Sequence, residues 1–391
     1  MFKKSLLAVA VLGTAAGFAC AADVTLYGKV DAGLVYTNTQ TKTTAANGDV
    51  SKVKNHVFDM QNGVNAGSRF GLKGTEDLGN GLKVGFKLEN GFNVDDGTLD
   101  NDGRLFGREA SLSVSGDFGT LSAGRMGGVG SGAGTYNLFT ATADAFDGGN
   151  LDTFGLVTTS RYDNMLTYQT PKFAGVLGTF QYSFKGNNVE DEDAATEGYY
   201  DASKGREGSA ATDRYASVGL TGDFGALQTV LTYEYLNYAS NNGNGVGNKD
   251  AQDGQLISLG GNYDCGFAKT FIAAQYFKDM KDSESIIDVK KAGYTKGYAV
   301  ALGTIVPVAS GDLTAAAYYN DYEVEYGETD AVKEDGDGKY YGLTVKYEYP
   351  LSKRTSIYTG AGVAQEKFDY KNNSEEKETM YQAFAGLTHS F

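Results

Sequence analysis

The sequence predicts an all-β chain, a sixteen-stranded antiparallel transmembrane β-barrel with an inward-folded third outer loop. Three observations lead there. Apolar and polar residues alternate from end to end, the mark of strands with one apolar face. The connectors between these runs are short and long by turns. The composition holds 54 Gly, 27 Tyr and 21 Phe against 3 Pro and no Trp. After the first residues, no apolar run approaches the ~20 residues that a membrane-spanning helix needs. A mean hydropathy of -0.34 suits a soluble protein, but also a barrel in which every second strand residue faces lipid.

The chain opens with Lys3 and Lys4, an apolar run from Leu6 to Gly17, and Phe18-Ala19-Cys20-Ala21-Ala22. A basic start, a short apolar middle and an A-x-A-like site make a secretory signal. It is expected to be cleaved, giving a signal peptide over 1–21 and a barrel domain over 22–391. Cys20 raises the alternative of a lipoprotein, but Gly17 stands where a lipid-attachment motif would carry Leu. Losing Lys3 and Lys4 takes the net charge from -15 to -17, which argues against nucleic acid as a partner. One cysteine, Cys265, would remain, so no internal disulfide can form.

The alternation is clearest in three runs. Leu82, Val84, Phe86 and Leu88 interleave with Lys83, Gly85, Lys87 and Glu89. Leu227, Thr229, Leu231, Tyr233 and Tyr235 interleave with Gln228, Val230, Thr232 and Glu234. Tyr341, Leu343, Val345, Tyr347 and Tyr349 interleave with Gly342, Thr344, Lys346 and Glu348. A soluble sandwich would show the same period, so the connectors carry the distinction. Short ones fall at 77–81, 116–119, 171–173, 222–225, 263–267, 307–312 and 349–353. Long polar ones fall near 37–62, 94–103, 127–159, 186–212, 239–253, 280–294, 327–338 and 368–379. Seven short and eight long connectors imply sixteen strands. Short turns on one side and long loops on the other is the arrangement of outer-membrane barrels. An even strand number leaves both termini on the short-turn side, so first and last strands can pair. Closure is required because no strand edge can stay unpaired in lipid. The turn Gly116-Asp117-Phe118-Gly119 is repeated as Gly222-Asp223-Phe224-Gly225, a reused hairpin. The tyrosines fit an aromatic girdle or ordinary strand aromatics.

The stretch from Gly124 to Arg161 is too long for a hairpin turn and has no strand or helix period. A loop of this length inside an ordered domain is functional or disordered. It carries Arg125 and Arg161 at its borders and Asp144, Asp147 and Asp152 within. It is expected to enter the lumen and narrow it to a charged slit; the alternative is a mobile surface loop.

Several segments resemble the Gram-negative general porins, closest to the neisserial and other betaproteobacterial members. They are Asp23 to Val30, Ser68 to Lys83, Gly107 to Leu112, Leu121 to Arg125, Ser160 to Asn164 with Tyr168 and Pro171, Ser352 to Thr355, and Gly386 to Phe391. No single motif decides; their order and spacing do. The resemblance implies a trimer with one pore per subunit, in the outer membrane of a Gram-negative bacterium. It implies lipopolysaccharide and the barrel-assembly machinery as partners, with the final Phe391 as closure and assembly signal. It implies a third outer loop facing a ladder of basic wall residues, here Lys29, Arg69, Arg108, Arg125 and Arg161. The Pro-Glu-Phe-Gly that many members carry in that loop is absent, and residues 127–134 are unusually rich in glycine.

Strand parity tests the ladder independently. Lys29 lies opposite Leu26, Val30 and Leu34 in phase, Arg69 opposite Phe70 and Leu72, and Arg161 opposite Tyr162 and Leu166. All three point inward. Arg108 shares phase with Ala110, Leu112 and Val114, and Arg125 with Leu121 and Ala123. These two need a bulge or serve a structural role. The expected function is an outer-membrane porin passing small hydrophilic solutes and ions by passive diffusion. Cations facing carboxylates across a narrow opening give weak charge selectivity. The alternatives are a substrate-specific porin or a loop-mediated adhesin on the same barrel. An enzyme is not expected. Acyl transfer wants a Ser–His pair, and His56 and His389 lack one. No His/Cys cluster points to a metal, and no cofactor is expected.

Overall fold

The computed structural model describes residues 24–147, 153–184, 212–238, 253–281, 294–325 and 335–391. The expected signal peptide, 1–21, lies outside the described residues, as do Asp152 and most of four outer connectors.

Among the described residues, seventeen strands form one antiparallel sheet. The first five are β1 (Thr25–Thr44), β2 (Val50–Asn62), β3 (Arg69–Gly79), β4 (Leu82–Gly91) and β5 (Glu109–Gly116). Next come β6 (Gly119–Gly127), β7 (Arg161–Gln169), β8 (Val176–Ser183), β9 (Arg214–Phe224), β10 (Leu227–Asn237) and β11 (Gly254–Asp264). The last are β12 (Lys269–Lys281), β13 (Tyr294–Val308), β14 (Gly311–Glu325), β15 (Gly336–Pro350), β16 (Thr355–Tyr370) and β17 (Glu375–Ser390). The same edge of β1 pairs with β2 along residues 32–44 and with β3 along residues 25–29. These two strands are therefore one stave, interrupted at residues 63–68, and the barrel has sixteen. The other edge of β1 pairs with β17 and closes the cylinder. Phe391 completes that seam: its N–H donates to the Gly28 carbonyl and Gly28 N–H donates to the Phe391 carbonyl, both at 3.1 Å. A Cβ at position 28 would lie 2.3 Å from the Phe391 ring, so only glycine fits the seam.

All seven short connectors fall where the sequence places them. The outer side differs at two points. The expected first loop, 37–62, is mostly strand, with only residues 45–49 outside β1 and β2. Thr37, Thr41 and Thr44 stand opposite Val57, Val53 and Val50, and β-branched cross-strand pairs hold a ladder together even in water. The eighth, expected over 368–379, shrinks likewise to residues 371–374. There Lys367 bridges Asp369 at 2.9 Å and Glu375 at 3.2 Å.

Burial follows the alternation. On β10, Leu227, Leu231 and Tyr233 are exposed, while Val230, Thr232 and Glu234 are buried. The exposed row faces lipid, and the buried row faces the inside of the closed sheet. A bulge breaks this rule on β7, where Gly124 pairs with Met165 but Met126 with Tyr162, leaving one extra residue. Asn164 takes it up at φ 50, a left-handed conformation that asparagine tolerates. The phase therefore switches, and Tyr162, which parity places outward with Leu166, is buried and stacks on Tyr215 at 4.0 Å.

Candidate functional site

Among its described residues, the connector between β6 and β7, residues 128–160, holds one short helix, α1 (Phe139–Ala143). Its apolar side chains, Phe139, Ala143, Phe146, Leu156 and Val157, join one core cluster with buried residues of β10 to β16. Polar contacts fix it further. Asn262 donates to the Thr142 carbonyl at 2.7 Å, and Tyr318 donates to Asp144 at 2.8 Å. The Gln275 amide both donates to and accepts from the Val157 backbone, at 2.8 Å each. At the neck of the connector, Glu234 accepts from Thr159 and Tyr215 at 2.6 Å each. A Cβ at Gly130 would lie 2.3 Å from the same carboxyl. Glu234 thus touches the start and the end of the connector at once.

Beside this segment lies a cavity of about 690 Å³. Six cations line it, Lys29, Arg69, Lys87, Arg108, Arg161 and Lys346, against five acids, Glu89, Asp100, Asp147, Asp312 and Glu348. Among the described residues, five of these eleven charges are in ion pairs. Arg108 Nε donates to Glu89 at 2.8 Å, and Lys87 donates to Glu109 at 2.8 Å. Lys346 donates to Glu348 at 3.1 Å and to Asn65. Arg161 donates to the Asn101 side chain at 2.9 Å.

Arg161, Asp100 and Asp312 have no ion pair among the described residues, and Arg161 Nε is buried without a hydrogen-bond partner; three further charges of the cavity also stand without an ion pair. Lys29 and Arg69 are direct cross-strand partners on β1 and β3, and neither has a carboxylate within ion-pair distance among the described residues. Arg69 has only the Gly67 carbonyl, at 2.9 Å. Asp147, from the β6–β7 connector, likewise has no hydrogen-bond or ion-pair partner among the described residues. Burial pushes its carboxyl above the usual 3.8, while Lys29, Arg69 and Lys269 act to hold it down.

Of the sequence-predicted ladder, four cations meet at this cavity: Lys29, Arg69, Arg108 and Arg161, the last in spite of the phase switch that turns its neighbour Tyr162 inward. Arg108 needs no bulge, because it precedes β5 and so escapes the strand phase. Arg125 does not line the cavity. Its phase turns it away, and it donates to the Gly107 carbonyl and to Asp163, both at 2.7 Å. Of the loop acids, Asp147 lines the cavity, Asp144 is bound to Tyr318, and Asp152 is outside the described residues. Sequence reasoning missed Lys87, Lys346 and Asn65. The first two lie in the inward phase of their strands, a signal present in the alternation. Asn65 sits on the interruption between β2 and β3, where its N–H donates to the buried Asp31 at 3.1 Å. Only the local Gly63, Gly67 and Asn65 hint at that break.

Comparison with known proteins agrees with this geometry. A family model described as Gram-negative porin matches residues 8–369. An outer membrane porin of Bordetella pertussis is 34% identical, across 93% of this chain and 94% of its own length. Outer membrane porin protein 32 of Delftia acidovorans is 30% identical, across 91% and 88%. Among solved structures, an anion-selective porin from Comamonas acidovorans superposes with a TM-score of 0.62 at 24% identity, covering 95% of this chain and all of that one. A family match across most of the sequence, relatives spanning nearly its full length and a closed sixteen-stave barrel make this chain a member of the Gram-negative porin family, an outer-membrane channel.

Proposed function

We propose that the 690 Å³ cavity is the narrowest part of the channel and that the β6–β7 connector, folded into the lumen, makes it so. Small hydrophilic solutes and ions diffuse through it passively, with a weak preference for anions. The observation that carries this reading is the set of bonds from the connector to buried wall residues, Asn262, Gln275, Tyr318 and Glu234. The preference for anions rests on Lys29 and Arg69. They stand without an ion pair at the opening, as does Arg161, whereas Arg108, Lys87 and Lys346 have carboxylate partners. Charges on the outer connectors are screened beyond ~8 Å at physiological salt, so the wall charges dominate. The relative from Comamonas carries the same sign of selectivity in its description. We further propose a homotrimer with one channel per subunit, with lipopolysaccharide and the barrel-assembly machinery as partners.

Planar-bilayer recording of the purified protein tests the reading. Conductance should appear in groups of three equal steps, with a reversal potential on the anion side in a salt gradient. Neutralising both cations (Lys29→Gln with Arg69→Gln) should lower the chloride-to-potassium permeability ratio by a factor on the order of 30. Each partly solvated charge contributes about 1 kcal/mol at close range. A folded barrel with no conductance sinks the proposal. An unchanged reversal potential removes these two residues from the constriction.

A further inference from the structure

Lys29 and Arg69 form a like-charge pair directly across a ladder. Such a pair is destabilising unless something offsets it. Arg108, Lys87 and Lys346 in the same cavity are neutralised by Glu89, Glu109 and Glu348. Lys29 and Arg69 have no such partner among the described residues. Glu348 and Asp31 also act on Lys29, and Glu89 on Arg69, but the carboxylate that acts on both is Asp147, and it stops short of ion-pair distance from either. It is held there by its own segment. Phe146 beside it sits in the core cluster, and Asp147 has φ 43, a conformation that costs energy for a residue other than glycine. Lys29, Arg69 and Asp147 therefore line one cavity without pairing with one another, whereas Glu89 and Glu348 are engaged by Arg108 and Lys346.

A ligand that carries an anion and a cation a few ångströms apart satisfies all three. We propose that this cavity is a binding subsite for small zwitterions of the α-amino acid class, with the carboxylate held by Lys29 and Arg69 and the ammonium group by Asp147. The inference rests on the reading of the cavity as the channel's constriction. The same geometry discriminates. A simple anion gains the two cations but is repelled by Asp147, and a diacid is repelled more. A neutral amide of equal size gains no ion pair. Selectivity of this kind is a difference of affinities set partly by the repulsive element, and that element is Asp147.

Isosteric solutes test it, with chloride current through single channels as the readout. L-Alanine, lactate and lactamide share a three-carbon skeleton and differ in charge. Alanine should reduce the chloride current saturably, and lactamide should reduce it only as a volume effect, linearly with concentration. In Asp147→Asn, a near-isosteric change that also tolerates positive φ, the half-blocking concentration of alanine should rise on the order of tenfold, one charge-assisted contact being lost. The half-blocking concentration of lactate should fall in the same variant. In Lys29→Gln with Arg69→Gln, both solutes should lose their block. Equal block by alanine and lactamide overturns the proposal, as does an alanine block that Asp147→Asn leaves where it was. Either result leaves chloride conductance in place, so the channel reading would survive; absence of conductance in every variant would instead sink that reading first.

Discussion

At three points on β9, β11 and β13 the β6–β7 connector comes down on glycine: Leu138 over Gly219, Ala143 over Gly260 and Ala145 over Gly303. Where β1, β3 and β7 meet the cavity, the inner wall is made of Lys29, Arg69 and Arg161. Both sets lie within one barrel, built by one ladder. The difference is residue size. At the three glycines the connector comes too close for any side chain to stand on the strand, while around them it packs on projecting side chains such as Phe271 and Tyr318. The cavity needs long side chains that reach into water while their stems stay on the wall. One half of the wall is shaped to be covered, and the other to remain open.

The largest expected effect comes from spoiling the glycine seat of the connector. At Gly303 the only atom that an added Cβ would meet within 3.0 Å is Ala145 Cβ, at 2.7 Å. Ala145 stands two residues before Asp147. Gly303→Val should therefore lift the connector from the wall just where it presents its carboxylate. Overpacking of this kind costs about 1–3 kcal/mol. Single-channel traces of the variant should be noisier than wild type, and its folded form should survive heating in detergent less well. Quiet, wild-type traces would mean that the connector is not seated on these glycines.

A smaller effect, confined to the open half, comes from titrating Asp147. Its carboxyl is raised above 3.8, so on acidification it takes up a proton earlier than an ordinary aspartate. Proton uptake removes the negative charge opposite Lys29 and Arg69. The chloride-to-potassium permeability ratio should therefore rise as pH falls from neutral toward the ordinary carboxylate range, by about fivefold at most for one charge. Asp100, Asp312 and Glu348 also line the cavity, so the decisive quantity is the difference between wild type and Asp147→Asn. Reversal potentials measured across the pH series give it. Parallel curves for the two proteins would place the titration elsewhere.

The two halves were unequally legible in the sequence. Strand count, turns and the inward phase of Lys29 and Arg69 are local matters, fixed by a two-residue period and by turn chemistry. They could be read without the fold. Tyr162 could not, because one extra residue on β7 reverses the phase, and nothing near Asn164 announces it. Nor could Asp147 be separated from Asp144. The choice depends on the path of the connector, and Tyr318, which binds Asp144, lies 174 positions away. The glycine seat was present in the sequence, but Gly219, Gly260 and Gly303 acquire meaning only when they come under one segment. Long-range placement, rather than residue type, was the missing information.

Arg125 supplies the smallest and sharpest test of the comparison, because it separates charge from position. It carries the same charge as Arg69 and stands at the edge of the same connector, yet its strand phase turns it from the cavity toward Asp163. If position decides, Arg125→Ala should leave the reversal potential where it is. It should still cost stability. Its side chain is only 10% exposed, and it donates to the Gly107 carbonyl as well as to Asp163. The loss should stay near the low end of a buried charge-assisted bond, about 1–2 kcal/mol, because Arg104 still holds Asp163 at 2.8 Å. Thermal unfolding in detergent and the salt-gradient reversal potential, measured on one preparation, separate the two effects. A reversal potential that moves toward cations in Arg125→Ala would show that its field reaches the lumen despite the strand phase, and the division of the wall by position would then have to give way to one by net charge.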